Sequence, residues 1–119
     1  MILPVAASAG LWHYWAVVYG SDLIMVECKN YSNPIGPAEV DLTTKYLRRP
    51  GLARLAFVAT RQPPNAQAIE TAREIYRTDG KLFIFLTDRE LTDLAELGGQ
   101  PIEAEAYLRR YYQRQKMSL

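Results

Sequence analysis

Three short apolar runs mark the chain: Leu23-Ile24-Met25-Val26, Leu55-Ala56-Phe57-Val58-Ala59 and Leu82-Phe83-Ile84-Phe85-Leu86. Unbroken runs of this length predict strands buried on both faces of a sheet. Met1 to Val5 predicts a further short strand, ending near Pro4, because proline is confined to strand ends and edges. Between these runs the apolar spacing changes to that of helices. Trp12, Trp15, Ala16 and Tyr19 fall at i, i+3, i+4 and i+7, and Gly20 sits where a helix ends. Leu11–Tyr19 therefore predicts a helix, although alternation in the same stretch also fits a strand.

Downstream, Asn33-Pro34 and Gly36-Pro37 punctuate a loop. A helix follows over Pro37–Arg48, with Val40, Thr43, Thr44 and Leu47 on one stripe and Pro50-Gly51 ending it. The second run extends to a strand over Leu52–Thr60. Asn65 predicts an N-cap for a helix over Ala66–Thr78 that buries Ala68, Ile69, Ala72, Ile75 and Tyr76. Glu70, Arg73, Glu74 and Arg77 form its wet face, and Gly80 stops it. A strand over Lys81–Thr87 comes next, then a short helix capped by Asp88 and running to Leu97. Pro101 opens a last helix with Ala104, Tyr107, Leu108, Tyr111 and Tyr112 on its apolar stripe. Strands alternating with helices predict an α/β domain with a mixed central sheet covered by helices on both faces.

Length and composition fit one such domain. The chain has 119 residues, 49% of them hydrophobic and 23% charged, which suits a single core. The net charge is +1, so contact with nucleic acid has to rest on local positive charge. A single cysteine excludes an intramolecular disulfide and a Cys-based zinc site, as befits a reducing cytoplasm. The apolar N-terminal stretch is interrupted by Pro4 and Gly10, too broken for a membrane span, and lacks the basic start of a signal peptide. No Gly-rich phosphate loop follows any strand, which disfavours a small-molecule-binding α/β domain. His13, alone beside two tryptophans, is assigned no chemistry.

The chemistry concentrates where the first long run ends, at Glu27-Cys28-Lys29. In a strand, Glu27 and Lys29 point to one face and Cys28 to the other. A carboxylate and an ammonium at the end of an apolar strand are costly to bury. A site for a divalent cation and a phosphate needs such a pair: the carboxylate ligates the metal and the lysine holds water or offsets developing charge. The plain alternative is a structural ion pair at a strand end. Asp22 sits five residues before Glu27, so in a continuous strand it faces away from both.

Glu27-Cys28-Lys29-Asn30-Tyr31, then Ser32-Asn33-Pro34-Ile35-Gly36, then a helix with Glu39-Val40 and Lys45-Tyr46-Leu47, resembles the PD-(D/E)XK restriction-endonuclease-like superfamily. The Mrr-like branch is the nearest in pattern, and the likeness extends more loosely over most of the chain. It implies a restriction-endonuclease-like fold and metal-dependent hydrolysis of DNA phosphodiesters, with Mg²⁺ or Mn²⁺ as cofactor. It makes Glu27 a metal ligand, Lys29 the charge stabiliser and the Cys28 carbonyl a further ligand. Asn30 and Arg61 become nucleic-acid contacts, although Arg61 also fits plain solvent exposure. Glu39, on the first turn of the following helix, becomes a third catalytic candidate; it equally fits a solvated glutamate favoured by the helix dipole.

Two features depart from that family. Leu42 stands where many relatives carry Gln. The family's first acid comes from the preceding strand, and Met1–Val5 has no Asp or Glu. The expectation is either a C-terminal part of a longer chain or a degenerate domain used for binding or self-association. Leu11, Trp12, Trp15, Val18 and Tyr19 are expected to lack a covering helix and to be buried by a partner, in a homodimer or a larger parent chain. Arg109, Arg110, Arg114 and Lys116 suit the end of the last helix, with DNA-backbone contact as the alternative.

Overall fold

The computed structural model describes residues 2–4, 10–19, 23–29, 32–47 and 54–118. Four strands form one sheet: β1 (Ile2–Pro4), β2 (Leu23–Lys29), β3 (Leu55–Thr60) and β4 (Leu82–Leu86). They lie side by side in chain order. β1 is antiparallel to β2, while β2, β3 and β4 are parallel. Parallel neighbours need crossover connections, and α2 (Pro37–Leu47) and α3 (Ala66–Asp79) supply them. The remaining helices are α1 (Gly10–Val18), α4 (Asp88–Glu96) and α5 (Pro101–Met117). The expected mixed α/β sheet with flanking helices is therefore present. Among the described residues no helix is long and apolar enough to cross a membrane.

Alternation along the strands divides the core into two. Leu55 and Phe57 of β3, with Leu82, Ile84 and Leu86 of β4, pack against Leu11, Trp15, Tyr19 and Tyr112. Ala56 and Val58, with Phe83 and Phe85, pack against Ile35, Val40, Ala68 and Ala72. One face thus carries α1 and α5, and the other carries α2 and α3. Both faces of β4 are buried, as its unbroken apolar sequence requires.

Val40, Thr43 and Thr44 of the predicted α2 stripe and Ala68 and Ala72 of the predicted α3 stripe are buried, and Ile69, Ile75 and Tyr76 are partly buried. The Thr43 and Thr44 hydroxyls donate to the Glu39 and Val40 carbonyls at 3.0 and 2.9 Å. That back-bonding satisfies polar groups that would otherwise be costly to bury. Asn65 caps α3 by accepting from the Ala68 N–H at 2.8 Å. Gly80 ends α3 at φ 68°, a left-handed conformation that glycine adopts without a Cβ clash.

Two expectations are corrected. Leu11, Trp15 and Tyr19 form no exposed patch: they are buried, the Trp15 ring lying 5.2 Å from Phe57 and 5.4 Å from Tyr112. The C-terminal helix α5 supplies the cover that the local sequence of α1 lacks. Val18 is exposed, and the side chain of Trp12 lies outside the described residues. Asp88 is the first helical residue of α4, and Thr87 holds the cap position, its hydroxyl donating to Glu90.

The outer edge of β4 is closed by side chains. The Phe85 N–H donates to Gln115 Oε1 at 3.2 Å, and Gln115 Nε2 donates to the Phe85 carbonyl at 3.0 Å. Tyr111 donates to the same carbonyl. Occupying an edge residue's backbone groups in this way blocks pairing with another strand.

Candidate active site

The ladder between β2 and β3 fixes which way the candidate pair faces. Glu27 is in register with Val58 and Lys29 with Thr60. Residues in register share a face, and Val58 belongs to the core beneath α2 and α3. Glu27 and Lys29 therefore lie on that face, at the C-terminal ends of parallel strands. Loops at those ends form the ligand sites of open α/β sheets.

Lys29 Nζ lies 3.1 Å from Glu27 Oε1. The lysine side chain is 8% exposed and the glutamate 25%, so the ammonium is desolvated while the carboxylate keeps a path to solvent. Burying the ammonium without a counter-charge would be expensive; Glu27 supplies it. Cys28 is exposed and, by alternation, its side chain lies on the opposite face. Its peptide carbonyl, not its thiol, is the group the expectation concerns.

The loops around this strand end are tied to each other. The buried Thr60 donates its hydroxyl to the Gln62 carbonyl at 2.7 Å. Gln62 Nε2 donates to the Ser32 carbonyl at 2.6 Å, and the Asn65 N–H donates to the Ile35 carbonyl at 3.0 Å. The segment after β2 and the segment after β3 are thus stitched across the mouth of the site. The sequence places Thr60 and Gln62 at a strand end where loops line sites and Ser32 in the loop after β2, but it does not show the bonds between them. Their partners are up to 30 positions apart, and the one available signal was a threonine closing a buried strand.

The other candidates are placed as follows. Glu39 turns back on its own helix: the Gly36 N–H donates to its Oε2 at 2.9 Å. This is the glutamate half of a capping box, and the first-turn alternative accounts for that contact. Arg61 and Asp88 face each other from the ends of β3 and β4, Nε to Oδ2 at 3.9 Å, both more than half exposed. A pair so open to solvent contributes little stability. Asn30 and Asp22 lie outside the described residues. Among the described residues no group of three His, Cys, Asp or Glu side chains is poised to hold a metal.

The site is that of an α/β domain with a half-buried acid–lysine pair at the end of an interior strand. Comparison with protein-family models, curated proteins and solved structures finds no match.

Proposed function

We propose that this is a PD-(D/E)XK nuclease-like domain that hydrolyses nucleic-acid phosphodiesters, DNA foremost. The observation that carries the proposal is the Glu27–Lys29 pair, 3.1 Å apart, with the lysine inside and the acid toward solvent. The mixed sheet, with this pair on an interior strand and α2 directly after it, supports the same reading. Glu27 and the Cys28 carbonyl would be the oxygen donors to Mg²⁺ or Mn²⁺, hard ions that keep several waters and add substrate phosphate oxygens. A bound cation supplies Lewis acidity toward the scissile phosphate.

The chain's own groups do the remainder. Lys29 presents a desolvated positive charge where negative charge builds on the phosphate, and charge stabilisation is strongest where water is excluded. Glu27 holds that ammonium in place. Arg61, exposed beside Asp88, receives a neighbouring phosphate of the backbone.

A second reading is a nuclease-like module that binds nucleic acid without cutting it. Among the described residues no second acidic side chain joins Glu27 in a group that could hold a metal, which favours it. Incubation of supercoiled plasmid with the wild type and Lys29→Ala, in Mg²⁺ and in Mn²⁺, decides between them. Nicking that depends on metal and on Lys29 supports the enzyme. Retarded but intact DNA supports the module. Nicking that persists in Lys29→Ala overturns the assignment of the site.

A further inference from the structure

The face opposite the candidate active site carries a groove between α1 and α5, with a volume of about 620 Å³. That size lies within the range of small-molecule sites, roughly 300–1,000 Å³. Among the described residues, Leu11 and Tyr14 of α1 and Arg109, Tyr112, Gln113 and Lys116 of α5 line it, with Met117 at its end. Leu11 and Tyr112 are buried and form the floor. Tyr14 is 40% exposed and meets the Tyr112 ring edge-on at 6.4 Å.

The polar groups of the groove are one-sided. Among the described residues its lining includes two cations, one amide and no carboxylate. Lys116 Nζ lies 3.4 Å from the Tyr112 hydroxyl and over the Tyr19 and Tyr112 rings at 5.8 and 5.7 Å from their centroids. Among the described residues its ammonium forms no ion pair, although four such pairs occur elsewhere. The ammonium has three donors and is held by rings and one hydroxyl over an apolar floor. Arg109 is 3.6 Å from Glu105, but Glu105 also accepts from the Leu11 N–H, so its charge is shared with the start of α1. Arg109 and Lys116 are i and i+7 on α5, about 10 Å apart along the axis. An apolar floor between two cations matches a small organic anion with an apolar or aromatic body.

We propose that the α1–α5 groove binds such an anion, an acyl carboxylate or an aryl phosphate, its head on Lys116 and its body against Tyr14 and Leu11. The proposal does not depend on the phosphodiester reading, because Glu27 and Lys29 lie on the other face of the sheet.

Titration calorimetry of the full chain with decanoate and with phenyl phosphate tests it, inorganic phosphate serving as the bare-anion control. One or both organic anions should bind more tightly than inorganic phosphate, and which one binds identifies the source. Lys116→Gln should weaken that binding on the order of tenfold, the worth of one charge-assisted hydrogen bond. Tyr14→Ala, at a partly exposed position, should also weaken it, and Lys29→Ala should leave it unchanged. The proposal is overturned if neither organic anion binds, if inorganic phosphate binds as tightly, or if both groove variants bind like the wild type. It is also overturned if duplex DNA binds in a Lys116-dependent way while the small anions do not; the groove would then be a nucleic-acid surface.

Discussion

The Lys29 ammonium sits 3.1 Å from the Glu27 carboxylate, two positions apart on one face of β2. The lysine is the more buried partner, so the two halves of the pair are unequal. Glu27→Gln strands a desolvated cation, whereas Lys29→Met leaves a carboxylate that reaches water. Removing one partner of a fully buried pair costs roughly 3–5 kcal/mol. Because Glu27 is a quarter exposed, the expected cost of Glu27→Gln is about 2–3 kcal/mol. Lys29→Met should cost less, and the double variant should recover most of the loss. Urea denaturation of the three variants measures this; equal costs for the two single changes would contradict the asymmetry.

Caps set the next expectation. Asn65 accepts from the Ala68 N–H, and Glu39 accepts from the Gly36 N–H. Asn65→Ala should cost about 1 kcal/mol, the usual worth of an N-cap. Glu39→Ala should cost roughly 0.5–1 kcal/mol as half of a capping box and should leave any metal-dependent cleavage unchanged. Lost cleavage with unchanged stability would instead return Glu39 to the catalytic set.

These sites show what the sequence made legible. Asn65 after Pro63-Pro64 and the Ala68–Ala72 stripe are local signals, and the β3–α3–β4 unit follows from them. The facing of Glu27 and Lys29 followed from strand alternation alone. The cover over Trp15 did not, because Tyr112 comes from a helix far along the chain, as the hydrogen bond between the Tyr19 and Tyr112 hydroxyls illustrates with a separation of 93. Gln115 closing the Phe85 edge was hidden for the same reason: a glutamine on a helix carries no mark of the strand it will meet. The helix periodicity of α1 was readable, but its buried line, Leu11-Trp15-Tyr19, was fixed by α5.

Alkaline pH should destabilise the fold through its tyrosines. Burial, then the Asp93 hydrogen bond at 2.8 Å, pushes the Tyr107 hydroxyl up to about 12. Burial and the hydrogen bond to Tyr112 hold Tyr19 well above the ordinary phenol range, and burial with Glu90 does the same for Tyr111. A group whose folded-state pKa is raised contributes stability that is complete below its unfolded value, about 10 for tyrosine. For Tyr107 that contribution is lost as pH rises from there through about 12. Denaturation midpoints should therefore fall as pH rises from about 10 to about 12. Tyr107→Phe should flatten part of that slope, and an unchanged slope would place the alkaline sensitivity elsewhere.

The two members of the candidate pair should fail in different ways if the domain cuts DNA. Lys29→Ala removes the charge that meets the developing phosphate oxyanion. A single such group is worth about 10²–10³ in rate, so turnover should fall below detection. Duplex affinity should hold, because backbone contacts elsewhere, Arg61 among them, bear the binding. Glu27→Ala removes the acid that would hold the metal. Its defect is one of occupancy, and raising Mn²⁺ should restore part of the rate by mass action. The same Mn²⁺ cannot replace an ammonium, so Lys29→Ala should stay silent at every concentration. Glu27→Ala also leaves Lys29 unpaired, so its fold is checked by circular dichroism before its rate is read. Nicking assays across a Mn²⁺ series, with DNA binding followed by fluorescence anisotropy, separate these outcomes. If Mn²⁺ rescues both variants alike, the division of labour between ligand and charge stabiliser is wrong. If both variants also lose DNA affinity to the same degree, the pair is a binding element, and the non-cutting module is the better account.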